Sequence, residues 1–157
     1  TALGRRTRRV RRIAPGTRVL ATGPFGALTA RRRTRRKVLL LAGGVGITPL
    51  RALFETLPGA PGDLTLLYRA STAEHLVLSG ELEAIARGRQ AALHYLLGPS
   101  DASFDPLAPQ ALRNLVPELA EHDVYVCGPP GMTAAATTAL VRAGVPEGHI
   151  HTECFTF

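Results

Sequence analysis

Cysteine is scarce: Cys127 and Cys154 are the only two among 157 residues. Two thiols cannot by themselves ligate a four-thiolate iron–sulfur cluster or a Cys₄ zinc site. They are too few for a disulfide scaffold, so a reducing compartment is expected. Long apolar runs are missing too, and no stretch approaches the roughly 18 residues that a membrane-spanning helix needs. The basic N-terminus has no apolar stretch behind it and does not read as a secretory signal. Two signature phosphate motifs are also absent: the glycines do not follow G-x-G-x-x-G, and no Gly-Lys-Ser/Thr marks a P-loop.

Acid is absent from one part of the chain. Residues 1–37 hold twelve arginines, one lysine and no carboxylate, for a charge of +13. Residues 38–157 carry −6, so the net +7 describes neither part. The arginines form two clusters, RRTRRVRR (5–12) and RRRTRRK (31–37). No aromatic lies within either cluster, whereas single-stranded nucleic-acid platforms interleave aromatics with the cations. Nucleic acid is therefore not expected as a partner, and the clusters read as a solvated face or as a contact with a neighbouring domain.

What is present has a regular order. VLLLA (38–42) is a continuous apolar run, as in a strand buried on both faces. Helical spacing follows over 47–57, with Pro49 in the first turn where it is tolerated. Strands are expected at 64–70, 91–98, 123–128 and 149–157. Helices are expected at 76–88, capped by Gly88, at 107–120, weakened by Pro117, and at 130–144. This alternation implies an α/β fold: an open five-stranded parallel sheet flanked by helices. Such sheets bind ligands at the carboxyl ends of their strands. Before it, GTRVLATGPFG (16–26) alternates like the last strand of an antiparallel β unit. Residues 1–30 are read as the remnant of a preceding domain and residues 31–157 as the α/β domain.

Three stretches carry chemistry. GGVGITP (43–49) joins the first strand to the first helix. Glycines let a phosphate approach the backbone, and a helix start offers unpaired N–H groups. Gly43, Gly44 and Gly46 thus suit a pyrophosphate, with Thr48 adding a hydroxyl; a bare tight turn is the alternative. CGPPGM (127–132) ends the fourth strand at the same sheet edge. Its thiol is small enough to leave room for a flat ring, unless Cys127 is simply a buried structural cysteine. The chain closes on Glu153-Cys154-Phe155-Thr156-Phe157.

Together these stretches resemble the ferredoxin–NADP⁺ reductase superfamily. The nearest likeness is the pyridine-nucleotide half of flavin reductases related to ferric reductases, NADPH oxidases and oxygenase reductases. The resemblance covers residues 16–157 and implies a strand order of 3-2-1-4-5, preceded by the closing strand of an FAD-binding barrel. It assigns Gly43, Gly44, Val45, Gly46, Ile47, Thr48 and Pro49 to the nucleotide pyrophosphate. It places Cys127 near the nicotinamide and Gly128, Pro129, Pro130, Gly131 and Met132 along nicotinamide and ribose. Glu153 would orient the nicotinamide, and Phe155, or alternatively Phe157, would cover the flavin. The implied reaction passes hydride from NADPH, or NADH, to FAD and then electrons to an unknown acceptor. Arg69 and Ser71 are candidates for the adenosine ribose or its 2′-phosphate. The family's Arg-x-Tyr-Ser flavin motif is missing, so the chain alone is expected to hold no FAD and to be inactive.

The resemblance also leaves room for dimerisation through an exposed surface around Phe155, and for a membrane domain upstream. Localisation would be cytoplasmic, or at the cytoplasmic face of a membrane. A non-redox nucleotide-binding or regulatory module is the competing function. Metal binding by His149, His151 and Cys154 is disfavoured, because on a strand Cys154 points away from the two histidines. His75, His94 and His122 show no partner in the sequence and read as surface or packing residues.

Overall fold

In the computed structural model, the described residues are 12–20, 26, 28–98 and 105–155. Five strands form one parallel sheet: β1 (Lys37–Gly43), β2 (Leu64–Ala70), β3 (Ala92–Leu97), β4 (His122–Gly128) and β5 (Ile150–Cys154). Their order is β3-β2-β1-β4-β5, as the resemblance implies. Four helices join them: α1 (Ile47–Thr56), α2 (Ser79–Arg89), α3 (Pro109–Leu115) and α4 (Pro130–Arg142).

The continuous apolar run of β1 is explained by its central place. Val38, Leu39, Leu40, Leu41 and Ala42 are all fully buried. Val38, Leu40 and Ala42 face a core shared with Leu50 and Phe54 of α1 and Leu82 of α2. Leu39 and Leu41 face the opposite core, with Leu112 of α3 and Leu140 of α4. The strand order reverses at β1, whose neighbours are β2 and β4. The crevice at its carboxyl end is therefore where such a sheet takes a ligand.

Several boundaries differ from the sequence reading. The helix expected at 107–120 is two pieces: α3 ends at Leu115, and a 3₁₀ turn follows at Leu119–Glu121. Pro117 between them has no N–H to continue the ladder. The second helix starts at Ser79 rather than residue 76, because Leu78 takes a left-handed φ of 62°. It ends not at Gly88 but at Gln90, whose φ is 50° and whose N–H reaches the carbonyls of Ala86 and Arg87. Glycine is the favoured residue at this cap, and Gln90 is exposed. Gln90→Gly is therefore expected to stabilise the domain by about 1 kcal/mol; a rise in the urea midpoint at unchanged slope checks it.

The fifth strand is shorter than the 149–157 expected. His149 belongs to the 3₁₀ turn Glu147–His149, and Thr156 and Phe157 lie outside the described residues. Of the segment 16–26, residues 21–25 are not described, and residues 12–20 form no strand and are exposed. Thr17 instead closes a turn, its N–H and hydroxyl donating to the carbonyl of Ala14. A strand needs a partner edge, and among the described residues, 12–20 pair with none.

The second arginine cluster is solvated only in part: Arg31 and Arg32 are exposed, while the residues after them bind the domain. Arg33 donates to the carbonyls of Arg35, Arg36 and Pro58, and Arg35 to that of Ala120. Arg36 pairs with Asp63, and Lys37 with Glu118. These cations are spent on the domain's own loop ends. The first cluster lies almost wholly outside the described residues. Among the described residues no helix is long and apolar enough to cross a membrane.

Candidate functional site

A cleft of about 570 Å³ opens where the sequence places the glycine loop, at the carboxyl ends of β1, β2 and β4. Gly43, Gly44, Val45 and Thr48 form one wall, Arg69, Ala70, Ser71, His75 and Val77 another, and Pro129 and Met132 the third. Tyr68 is buried at its floor. Its hydroxyl donates to the carbonyl of Gly44 (3.4 Å) and accepts the N–H of Val77 (3.3 Å), tying the two sides together.

The loop glycines divide the work. Gly44 takes φ +53° and has no neighbour within 4 Å of where a Cβ would stand, so its backbone is open to the cleft. Gly43 and Gly46 face the protein. A Cβ on Gly43 would overlap the Met132 sulfur, and one on Gly46 would overlap the carbonyl of Cys127. Gly128 is close-packed but less tight, its Cβ position lying 2.9 Å from the Met132 methyl and 3.3 Å from the backbone of Gly43. Ile47 is fully buried and Pro49 sits in the first turn of α1. Gly46, Ile47 and Pro49 thus build the turn, while Gly44, Val45 and Thr48 present it. The open backbone, the start of α1 and the Thr48 hydroxyl suit a phosphate. Pro130 and Gly131 open α4 at the exposed edge beyond Pro129.

At the adenosine side expected for Arg69 and Ser71, the structure adds His75. Its Nδ1 lies 2.8 Å from the Ser71 hydroxyl and 3.1 Å from that of Thr72. This arrangement leaves Nε2 to a ligand. His75 is exposed, as the surface reading expects, and the structure adds two hydroxyl partners that the sequence does not show. The signal was its place four residues beyond Ser71, in the turn after a strand that ends at the cleft. Arg69 lines the cleft but is 8 % exposed, and its Nη1 donates to the carbonyls of Ala70 (2.6 Å) and Leu96 (3.1 Å).

Cys127, Glu153 and Phe155 come together beside the cleft rather than in its lining. Cys127 pairs in register with Glu153 across β4 and β5. Its thiol is fully buried. Burial, with the nearby Glu153 carboxylate and Cys154, pushes its pKa up to about 11. It is held as a neutral thiol and is no nucleophile. Phe155 packs, half-buried, against the core cluster that contains Cys127, and its N–H reaches the carbonyl of Gly128 (3.5 Å). The open apolar surface expected around Phe155 is correspondingly reduced. His149 and His151 meet Asp123 rather than Cys154, which is exposed. Among the described residues no three His, Cys, Asp or Glu side chains are grouped to hold a metal.

Comparison with known proteins agrees with this geometry. Residues 40–138 match the family model described as an oxidoreductase NAD-binding domain. The glycine betaine monooxygenase reductase subunit of Chromohalobacter salexigens is 32 % identical over 152 residues, covering 89 % of this chain and 41 % of that protein. Ferredoxin–NADP reductase B of Sorangium cellulosum is 30 % identical over 155 residues, covering 90 % of this chain and 64 % of that protein. The chain thus spans less than two thirds of either relative. The crystal structure of an Amycolatopsis cytochrome P450 reductase superposes with a TM-score of 0.67 at 27 % identity, covering 93 % of this chain and 46 % of that one. With a cleft at the strand-order switch, an open glycine turn and a matching family model, this chain belongs to the oxidoreductase NAD-binding domains of the ferredoxin–NADP⁺ reductase superfamily.

Proposed function

We propose that this chain is the nicotinamide-nucleotide-binding part of a flavin-dependent oxidoreductase and that it takes NADPH in preference to NADH. The single observation that carries this is the cleft at the end of β1, with Gly44 open for phosphate and Ser71 and His75 at its far rim. The bound nucleotide would supply hydride, and an FAD unit outside this chain would receive it. That this chain spans 41 % and 64 % of two reductases it resembles supports such a unit elsewhere in the whole protein. The names of the relatives support an electron acceptor beyond it. They also favour this redox reading over a bare nucleotide-binding or regulatory module.

The residues of the chain bind and align. Gly44 and Thr48 donate to the pyrophosphate from a turn whose position is fixed by the Gly46–Cys127 contact. Pro129 and Met132 shape the wall leading toward nicotinamide. Cys127, neutral and fully buried, supports the turn from beneath through its backbone carbonyl against Gly46. Glu153 hydrogen-bonds and is not consumed, and Phe155 covers the ring face beside it. At the other end, the Ser71 hydroxyl and His75 Nε2 reach the 2′-phosphate directly. Arg69, tied to carbonyls, contributes its charge from the wall.

Calorimetry of this chain with NADP⁺ and then NAD⁺ tests the reading. NADP⁺ is expected to bind more tightly, and His75→Ala to weaken NADP⁺ by roughly tenfold, the worth of one hydrogen bond to a charged group. NAD⁺ should change little. Arg69→Ala is expected to act in the same direction. Equal losses for both nucleotides would remove these residues from a phosphate site, and silence from both nucleotides would remove the binding function.

A further inference from the structure

Asp123 is a buried charge at the end of the sheet farthest from the cleft, and nothing in nucleotide binding uses it. Side chains alternate along strands. Asp123, Tyr125 and Cys127 of β4 therefore share a face, with His151 beside Tyr125 and Glu153 beside Cys127 on β5. Residues 28–36 run across this face in the direction opposite to the strands. At the base, Asp123 Oδ2 accepts the backbone N–H of Thr34 (2.5 Å) and Arg35 (2.6 Å), and the Thr34 hydroxyl lies 3.3 Å from both carboxylate oxygens. Asp123 Oδ1 meets His149 Nδ1 at 2.8 Å. The buried His151 Nε2, which has no hydrogen-bond partner, stands 3.9 Å away. Midway, the Tyr125 hydroxyl donates to the Thr29 carbonyl (3.1 Å), and the Tyr125 ring lies against His151 with centroids 4.9 Å apart. At the top, a Cβ on Gly26 would stand 2.5 Å from Oε2 of Glu153.

The anchors thus follow one line from Asp123 to Glu153. Burial alone would raise the Asp123 pKa. The donors from Thr34, His149 and Arg35 outweigh it and hold the carboxyl below its ordinary range. A fully buried carboxylate persists only while its bonds are made, so the segment cannot lift from the base without leaving that charge unpaired. We propose that Asp123 is a positioning residue that pins residues 28–36 as a strap and thereby holds the backbone at Gly26 behind the Glu153 carboxylate. The proposal rests on the reading above only in taking Glu153 to face the nicotinamide.

Hydrogen exchange and backbone NMR of the 157-residue chain without nucleotide test it. In Asp123→Asn, the Thr34 and Arg35 amides should exchange about tenfold faster or more, as in a local opening. The Glu153 and Cys127 resonances should move with them, while β1 and β2 amides stay protected. Four residues along an extended strand is roughly 13 Å, too far for the substitution to act on Glu153 directly. His149→Ala, at a half-exposed turn residue, should repeat both effects more weakly, and it decides the matter where Asp123→Asn does not fold. Gly26→Ala should move Glu153 and Cys127 while leaving Thr34 and Arg35 exchange unchanged. Unmoved Glu153 and Cys127 resonances beside a loosened strap would overturn the proposal, as would a strap that stays protected. Failure of the nucleotide reading shows separately, as NADP⁺ leaving Glu153 and Cys127 unmoved in the wild type.

Discussion

Gly46→Ala is expected to cost the domain about 3 kcal/mol, the upper range for forcing an added methyl into a packed interior. The reason lies in what the methyl would meet. Its place is taken by the Cys127 carbonyl, with the Gly128 nitrogen 2.8 Å away. Both are backbone atoms of the central sheet, and neither can turn aside as a side-chain tip would. Relief would require α1 to move off β4, opening the core that holds Ile47, Leu50 and Phe54. Gly44→Ala is the informative contrast. Its Cβ would meet nothing within 4 Å, so the cost is the left-handed φ alone, about 1–2 kcal/mol. That methyl would point into the cleft, and NADP⁺ affinity should fall roughly tenfold or more as the backbone loses its close approach to phosphate. Urea denaturation and nucleotide titration of the two variants separate the roles. A Gly46→Ala protein as stable as the wild type would show that the helix–strand contact is not tight.

The second large effect is acid sensitivity above the carboxylate range. His122 is 3 % exposed at the start of β4, and its Nδ1–H donates to the Glu118 carbonyl (3.0 Å). Burial, reinforced by the Lys37 ammonium, lowers its pKa to about 4. The unfolded chain takes up the proton near pH 6.5, before the folded one does. Stability from the neutral ring is therefore complete above pH 6.5 and is lost as pH falls from 6.5 to about 4. The loss amounts to roughly 3 kcal/mol. His151, whose pKa burial also lowers, adds in the same direction. Asp123 acts in a lower window, because its depressed carboxyl pKa defends the fold until pH drops below the ordinary aspartate range. His122→Gln keeps a donor for Glu118 and removes the titration. Its unfolding free energy should fall less between pH 6.5 and 4 than that of the wild type. Parallel pH profiles for the two would rule out His122 as the source.

The sheet and the glycine turn were legible because each rests on local composition. An uninterrupted apolar run such as VLLLA fits only a strand covered on both sides, and Gly43, Gly44 and Gly46 had to serve a turn, a close contact or both. What the sequence hid depends on partners far along the chain. The use of Arg33, Arg35 and Arg36 follows from carbonyls at Pro58 and Ala120 and a carboxylate at Asp63, none of which cluster composition reveals. His75 looked idle because its role comes from a cleft shared with Gly44 and Met132. Gln90 rather than Gly88 caps the helix, and Arg89 just before it is held by the Phe54 and Leu57 carbonyls, partners distant in the sequence. Cys127 was read at the correct sheet edge, but its complete burial beneath Gly46 needed the three-dimensional contact.

The strap has a consequence for synthesis on the ribosome. Thr29 and Thr34 find their partners in Tyr125 and Asp123, 96 and 89 residues later in the chain. At about 5–20 residues per second, that interval is on the order of 4–20 s, during which β1 and β2 can pair and the strap has only its early partners, the Pro58 carbonyl for Arg33 and Asp63 for Arg36. For most of that interval Arg35 lacks the Ala120 carbonyl, and the Thr34 and Arg35 amides lack Asp123, so this end of the strap is open to proteases. Docking of the strap is thus a late step that reports arrival of β4 and β5. A nascent chain stalled before residue 120 should be cut by trypsin after Arg35, and the released full chain should be cut there far more slowly.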